Sequence, residues 1–169
     1  MWLNLAKVRP ELLAAIRAEP ALIERLFFED GGPVDGVDPD RDVFGCDYLT
    51  LSAVAAARAR GDSTDEGGLD RFADMDEDWR ESQPWLSRAV GDETQLIDAY
   101  EFTYGSAFYL DADDVVAVRD GLVEEGWTFD DVGDDEPEKG EPEFDDFVDL
   151  LPFFEAAARE GKAIVGGVS

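Results

Sequence analysis

Tyr104-Gly105-Ser106-Ala107-Phe108-Tyr109-Leu110-Asp111-Ala112-Asp113-Asp114-Val115 compresses a turn, a strand and a helix start into one stretch. Ala107 to Leu110 is rich in residues that favour a pleated, half-buried surface, with Phe108 and Tyr109 at its centre. Asp111 can accept the orphan backbone N–H of Asp114, and the acids of that first turn suit the positive end of a helix. Val115, Val116, Val118, Leu122 and Val123 then recur at helical spacing until Gly126 stops the helix. Upstream, Leu96 to Phe102 carries Ile97, Tyr100 and Phe102, so Tyr104-Gly105-Ser106 lies between two strands.

The rest of the chain is read outward from this unit. Trp2 to Val8 is a largely buried first strand, and Pro10 stands where a helix tolerates a missing N–H. Leu12, Leu13 and Ile16 form one helical stripe; after Pro20, Leu22, Ile23, Leu26 and Phe27 form another. The spacing of Phe44, Tyr48, Leu51 and Ala55 predicts a helix from about Arg41 to Arg60. A helical stretch through Trp79, Trp85, Leu86 and Val90 is interrupted by Pro84, and its tryptophans suit satellite packing beneath a loop. A last helical region carries Phe144, Phe147, Val148, Leu151, Phe153 and Phe154, with a kink or two abutting helices expected at Pro152. Gly161 closes it, and Ala163-Ile164-Val165 is a short closing strand. The order predicts an α+β fold: a small mixed or antiparallel sheet packed with several helices in a single domain. The strands beginning near Trp2, Leu96, Ala107 and Ala163 should share one sheet, since none is stable alone.

Composition sets the function classes. The chain of 169 residues holds 42 acids against 14 bases, a net charge of −28, with no histidine and one cysteine. Direct nucleic-acid binding and an anionic membrane surface are both disfavoured by that sign. Without histidine, Ser-His-Asp and Cys-His chemistry cannot be built, and zinc sites of the usual kinds fail. Neither phosphate-binding glycine motif occurs, so no cofactor is expected. No apolar run approaches the roughly 20 residues of a membrane span. The opening Met1-Trp2-Leu3-Asn4-Leu5 lacks the basic lead and long apolar stretch of a signal peptide. The expectation is a soluble, cytoplasmic protein.

Several carboxylate arrangements invite a metal or catalytic reading. Asp38, Asp40 and Asp42 are spaced like the first ligands of a calcium loop, but Val43 and Leu49 stand where that loop requires Gly and Glu. A polar loop entering a helix explains them better. A glycosidase-like pair of carboxylates has opportunity among so many acids, yet no pair stands in an apolar setting. Cys46 lies between acids, which disfavours a thiolate, so it is read as a passive thiol. Glu101, between Tyr100 and Phe102, is explained by a strand with one solvated face.

The acids are unevenly spread. Residues 1–29 balance to zero; residues 130–149 hold eleven acids against Lys139 alone, and residues 61–98 twelve against three arginines. Such crowding should raise carboxylate pKa values, and salt should relieve it.

Several stretches together resemble the YfbM-like family, bacterial proteins classed as a domain of unknown function. Residues 104–115 are similar to a family pattern Tyr-Gly-Pro-Ala-Arg-Tyr-Leu-Thr-Pro-Glu-Glu-Val, with Asp111 in the N-cap place of its Thr. The opening strand with Pro10-Glu11-Leu12 fits, as does Phe153-Phe154 leading to Gly161 and the closing strand. Val43-Phe44-Gly45-Cys46-Asp47-Tyr48-Leu49 resembles a family stretch rich in Trp and His. Asp47 stands where His is common there, and Phe108 where the family has Arg. The resemblance implies one YfbM-like α+β domain over residues 1–169, in a bacterial cytosolic setting. Acidic loops near 30–40, 61–78 and 130–143 are its divergent parts, and it implies no established activity.

The leading expectation is a non-enzymatic interaction protein that binds a basic protein partner through an acidic face centred on Asp130, Asp131, Asp134 and Asp135. A toxin-neutralising or nucleic-acid-mimicking role is its sharpest form. The alternative is a small-ligand or enzymatic pocket near Tyr48, Glu101, Tyr104 and Gly105. A third reading takes the acidity as salt adaptation or solubility alone.

Overall fold

The computed structural model describes residues 1–28, 34–62, 79–92, 94–129 and 146–169. Its organising element is a five-stranded antiparallel sheet in the order β2-β1-β5-β4-β3. The strands are β1 (Trp2–Val8), β2 (Val43–Asp47), β3 (Gln95–Phe102), β4 (Gly105–Leu110) and β5 (Ala163–Val168). The four strands expected from sequence do share one sheet, with β1 and β5 paired near its centre.

Alternation along the strands builds two cores, one on each face. Leu3, Leu5, Phe44, Cys46, Phe108, Leu110 and Ile164 point to the larger one. Ala6, Val8, Ala107, Tyr109, Ala163 and Val165 point to the other. The second face is covered by α1 (Pro10–Ala18) and α2 (Leu22–Phe27), through Leu13, Ile16, Ile23 and Leu26. A short α3 (Pro39–Asp42) leads into β2.

The larger core is roofed by α4 (Tyr48–Arg60), α5 (Pro84–Ala89), α6 (Ala112–Glu124) and α7 (Leu150–Glu160). Asp111 caps α6 as expected, accepting the N–H groups of Asp113 at 3.0 Å and Asp114 at 2.9 Å. The Trp85 ring of α5 lies where a Cβ on Gly121 would sit, so only glycine lets these helices meet. Gly161 ends α7 with φ +64°, a left-handed position that favours glycine.

Three expectations are corrected. The helix expected from about Arg41 to Arg60 is three elements: α3, strand β2, and α4 beginning only at Tyr48. Phe44 and Cys46 face the core two residues apart, a strand period that the three-and-four spacing of Phe44, Tyr48 and Leu51 conceals. Asp47 ends the strand by capping α4, accepting from the Leu49 N–H at 3.2 Å and Thr50 Oγ1 at 2.7 Å. Nor does α7 break at Pro152. The junction lies earlier, where a 3-10 turn at Phe147–Asp149 runs into α7. Pro152 falls in the first helical turn, where its missing N–H leaves no bond unmade. Phe144 lies outside the described residues. Trp79 is no satellite: it is 3% exposed within the larger core, with Trp85 packed against that core.

Candidate functional site

The β3–β4 turn, the start of α4 and the segment around α5 enclose an open cleft of about 340 Å³. Its floor is apolar, formed by Phe108, Val90, Gly167 and Val168, and its sides include Met1, Leu96, Tyr104 and Gly105. Tyr104 is fixed through its backbone N–H, which donates to Val168 O at 3.0 Å, while 58% of the residue stays exposed. Gly105 follows with φ +144°.

The polar side of the cleft is built by a 3-10 turn at Trp79–Glu81. Trp79 anchors it in the core, and Arg80 lies over that indole at 5.0 Å. The Arg80 Nε donates to Asp92 Oδ2, and its Nη2 donates to Tyr48 Oη at 3.0 Å. Asp92 is itself held: its N–H reaches Ser87 O at 3.0 Å, and Ser87 Oγ donates to Oδ2 at 2.9 Å. Tyr48, Tyr104 and Gly105 therefore meet at one place, as the sequence suggested. Glu101 does not join them. It pairs with Ser106 in the β3–β4 ladder and is exposed outside the cleft. Arg80 and Asp92 are the additions that sequence reasoning missed. Asp130, Asp131, Asp134 and Asp135 lie outside the described residues, as does most of the 61–78 loop.

A second ionic cluster lies inside the fold. Lys162 Nζ stands 2.6 Å from Asp42 Oδ1 and 2.8 Å from Glu160 Oε2. Lys7 Nζ stands 3.6 Å from the same Asp42 oxygen and 3.3 Å from Glu160 Oε1. The Asp38 N–H completes Asp42, donating to Oδ2 at 3.0 Å. Asp38 in turn caps α3 by accepting the Asp40 N–H. The calcium-like Asp38, Asp40, Asp42 spacing is thus a cap and an ion cluster. Burial pushes the Asp42 carboxyl up, but the Asp38 N–H and the two lysines outweigh it and leave its pKa lowered.

Glu125 marks a second cavity of about 330 Å³, with Arg58, Ser82 and Gln83. Its two oxygens accept the N–H groups of Trp85 at 2.7 Å and Leu86 at 3.0 Å, capping α5 from across the molecule. Its pKa is raised, and by burial rather than by neighbouring acids. Cys46 is buried in β2, and burial first, then Asp146 and Asp47, push its thiol up to about 12. Among the described residues, no His, Cys, Asp and Glu side chains form a group of three able to hold a metal ion. No described helix is long and apolar enough to cross a membrane. Comparison of the chain with protein-family models, with curated proteins and with solved structures returns no match.

Proposed function

We propose that the chain is a non-enzymatic interaction protein of YfbM-like kind that binds a basic protein partner in the cytosol through its acidic surface. The observation that carries this reading is where the few cations go. Lys7 and Lys162 contact Asp42 and Glu160. Arg58 donates to the Glu125 and Gly126 carbonyls, and Arg88 to Asp114. Cations spent within the fold leave the remaining acids uncompensated, and a net −28 raises the encounter rate with an opposite charge.

The test is a pull-down from host lysate at about 0.15 M salt, where screening beyond roughly 8 Å removes loose contacts. Wild type should retain one particular basic protein, and exchange of Asp130, Asp131, Asp134 and Asp135 for Asn should release it. Equal retention by the four-Asn variant, or no specific protein at all, would overturn the reading. The cleft favours a second reading, small-ligand binding beside Tyr48 and Tyr104. A metabolite that raises the melting temperature of wild type but not of Tyr104→Ala would support it.

A further inference from the structure

We propose that the cleft seats one arginine side chain of the basic partner, with Arg80 as the resident guanidinium against which that side chain competes. This rests on the interaction reading above and names the anchor within it. Asp92 Oδ2 and Tyr48 Oη accept from Nε and Nη2 of Arg80, two donors on one edge of a planar fork. A pair of acceptors set at that spacing fits a guanidinium better than a single ammonium.

Acceptor capacity is left over. Both bonds to Asp92 fall on Oδ2, and among the described residues Oδ1 has no partner although its side chain is 39% exposed. An ionised carboxylate offers about four acceptor positions, so Asp92 can take a second cation before it releases the first. The resident one is lightly held: the Arg80 side chain is 42% exposed, and exposed ion pairs are weak.

The remaining walls match the rest of an arginine. Tyr104 and Leu96, 58% and 56% exposed, stand at the rim where an aliphatic stem and a cation can lie against them. Beneath them Phe108 is 2% exposed and belongs to the larger core, so the floor is fixed before anything binds. The net charge of −28 draws a cation toward this opening and opposes an anion that would otherwise seek Arg80.

The experiment titrates the full chain with three capped tripeptides, glycine-X-glycine, in which X is arginine, its neutral isostere citrulline, or glutamate. Backbone amide NMR at about 0.15 M salt reads the positions that respond. The arginine peptide should shift Gly91, Asp92, Gly105 and Ser106 saturably, and the other two peptides should not. Tyr104→Ala should weaken that response about fivefold, the worth of one exposed cation–aromatic contact. Arg80→Ala, which removes the competitor, should tighten it by up to about fivefold, the worth of one exposed ion pair. Tighter binding separates a competitor from a merely structural arginine. A stronger response to glutamate, an equal response to citrulline, or weaker binding by Arg80→Ala would overturn the proposal. Shifts confined to residues 63–78 and 130–145, with the cleft silent, would also overturn it while leaving the acidic-surface reading standing.

Discussion

Two ionic clusters, each built around one aspartate, sit in different surroundings. The Lys7–Asp42–Lys162–Glu160 cluster joins β1, α3, α7 and the entry to β5, with Lys7 3% and Asp42 8% exposed in their side chains. The Arg80–Asp92–Tyr48 cluster lies at the lip of a cleft, with its two charged side chains about 40% exposed. Bond geometry differs little between them; the solvent around the bonds differs greatly. Charges withdrawn from water are costly to separate, whereas exposed ones exchange readily with ions and with other molecules. The first cluster therefore belongs to the fold and the second is available to a partner.

The sharpest way to break this contrast is to remove one carboxylate from each. Asp42→Ala takes one of the carboxylates away from buried Lys7 and Lys162, and urea unfolding should show a loss of about 3 kcal/mol. That loss should persist in roughly 0.5 M salt, because a buried pair escapes the screening that acts on exposed charge. A loss below about 1 kcal/mol would mean that water reaches Lys7 and that the clusters are alike.

The pH dependence follows from the same cluster. Asp42 and Glu160 are lowered from ordinary values of 3.8 and 4.5, because the lysines and the Asp38 N–H outweigh the opposing effect of burial. A carboxylate depressed in the folded state stabilises fully above its unfolded value and ceases to do so as pH falls through the folded one. Lys162 is raised from 10.5: burial opposes its charge, but Asp42 and Glu160 prevail. Its contribution is complete below 10.5 and disappears above it as pH rises through the folded value. The difference in stability between wild type and Asp42→Ala should therefore be flat between those limits and shrink on either side. A difference that slopes steadily across neutrality would contradict the assignment.

Glu125 stands between the two cases, a half-buried acid that caps α5 and feels the nearby Arg58 guanidinium, whose attraction does not overcome burial. Glu125→Ala should cost about 1–2 kcal/mol, the usual worth of a cap, and Glu125→Gln less, since one acceptor oxygen remains. The smallest effect belongs to Arg80→Ala, at under about 1 kcal/mol and fading with added salt. A larger loss would place Arg80 in the fold and remove its role as a replaceable cation.

Legibility in the sequence followed the distance over which each feature is built. Helices α1, α2 and α6 and four strands were legible because apolar period and capping residues act within a few positions. Strand β2 was not, because Phe44 belongs at once to its two-residue period and to the helical spacing that Tyr48 and Leu51 continue. The buried cluster depends on partners 120 and 153 residues apart. Its local trace was Lys7 itself, which continues the inward row of Leu3 and Leu5 and so had to meet a buried counter-charge. Tyr48 and Tyr104 were anticipated in the cleft, but Glu101 was not separable from them without the pairing of β3. Ala99 adopts φ +70° within an irregular stretch of that ladder, so Ile97 and Phe102, five positions apart, face the same core.

The place of β5 bears on how the chain matures. It is the last of the strands to be synthesised, yet it lies between β1 and β4, and Ser169 exchanges backbone hydrogen bonds with Trp2. A nascent chain emerging from the ribosome can pair β1 with β2 and β3 with β4, but these remain two separate strand pairs until residues 163–168 arrive. During that interval Leu5, Val8 and Tyr109 border unpaired edges, the condition in which chains misassociate or engage chaperones. Closure of the sheet therefore waits for residues 163–168, and a ribosome that stalls before Ala163 leaves a polypeptide without the strand that joins its halves.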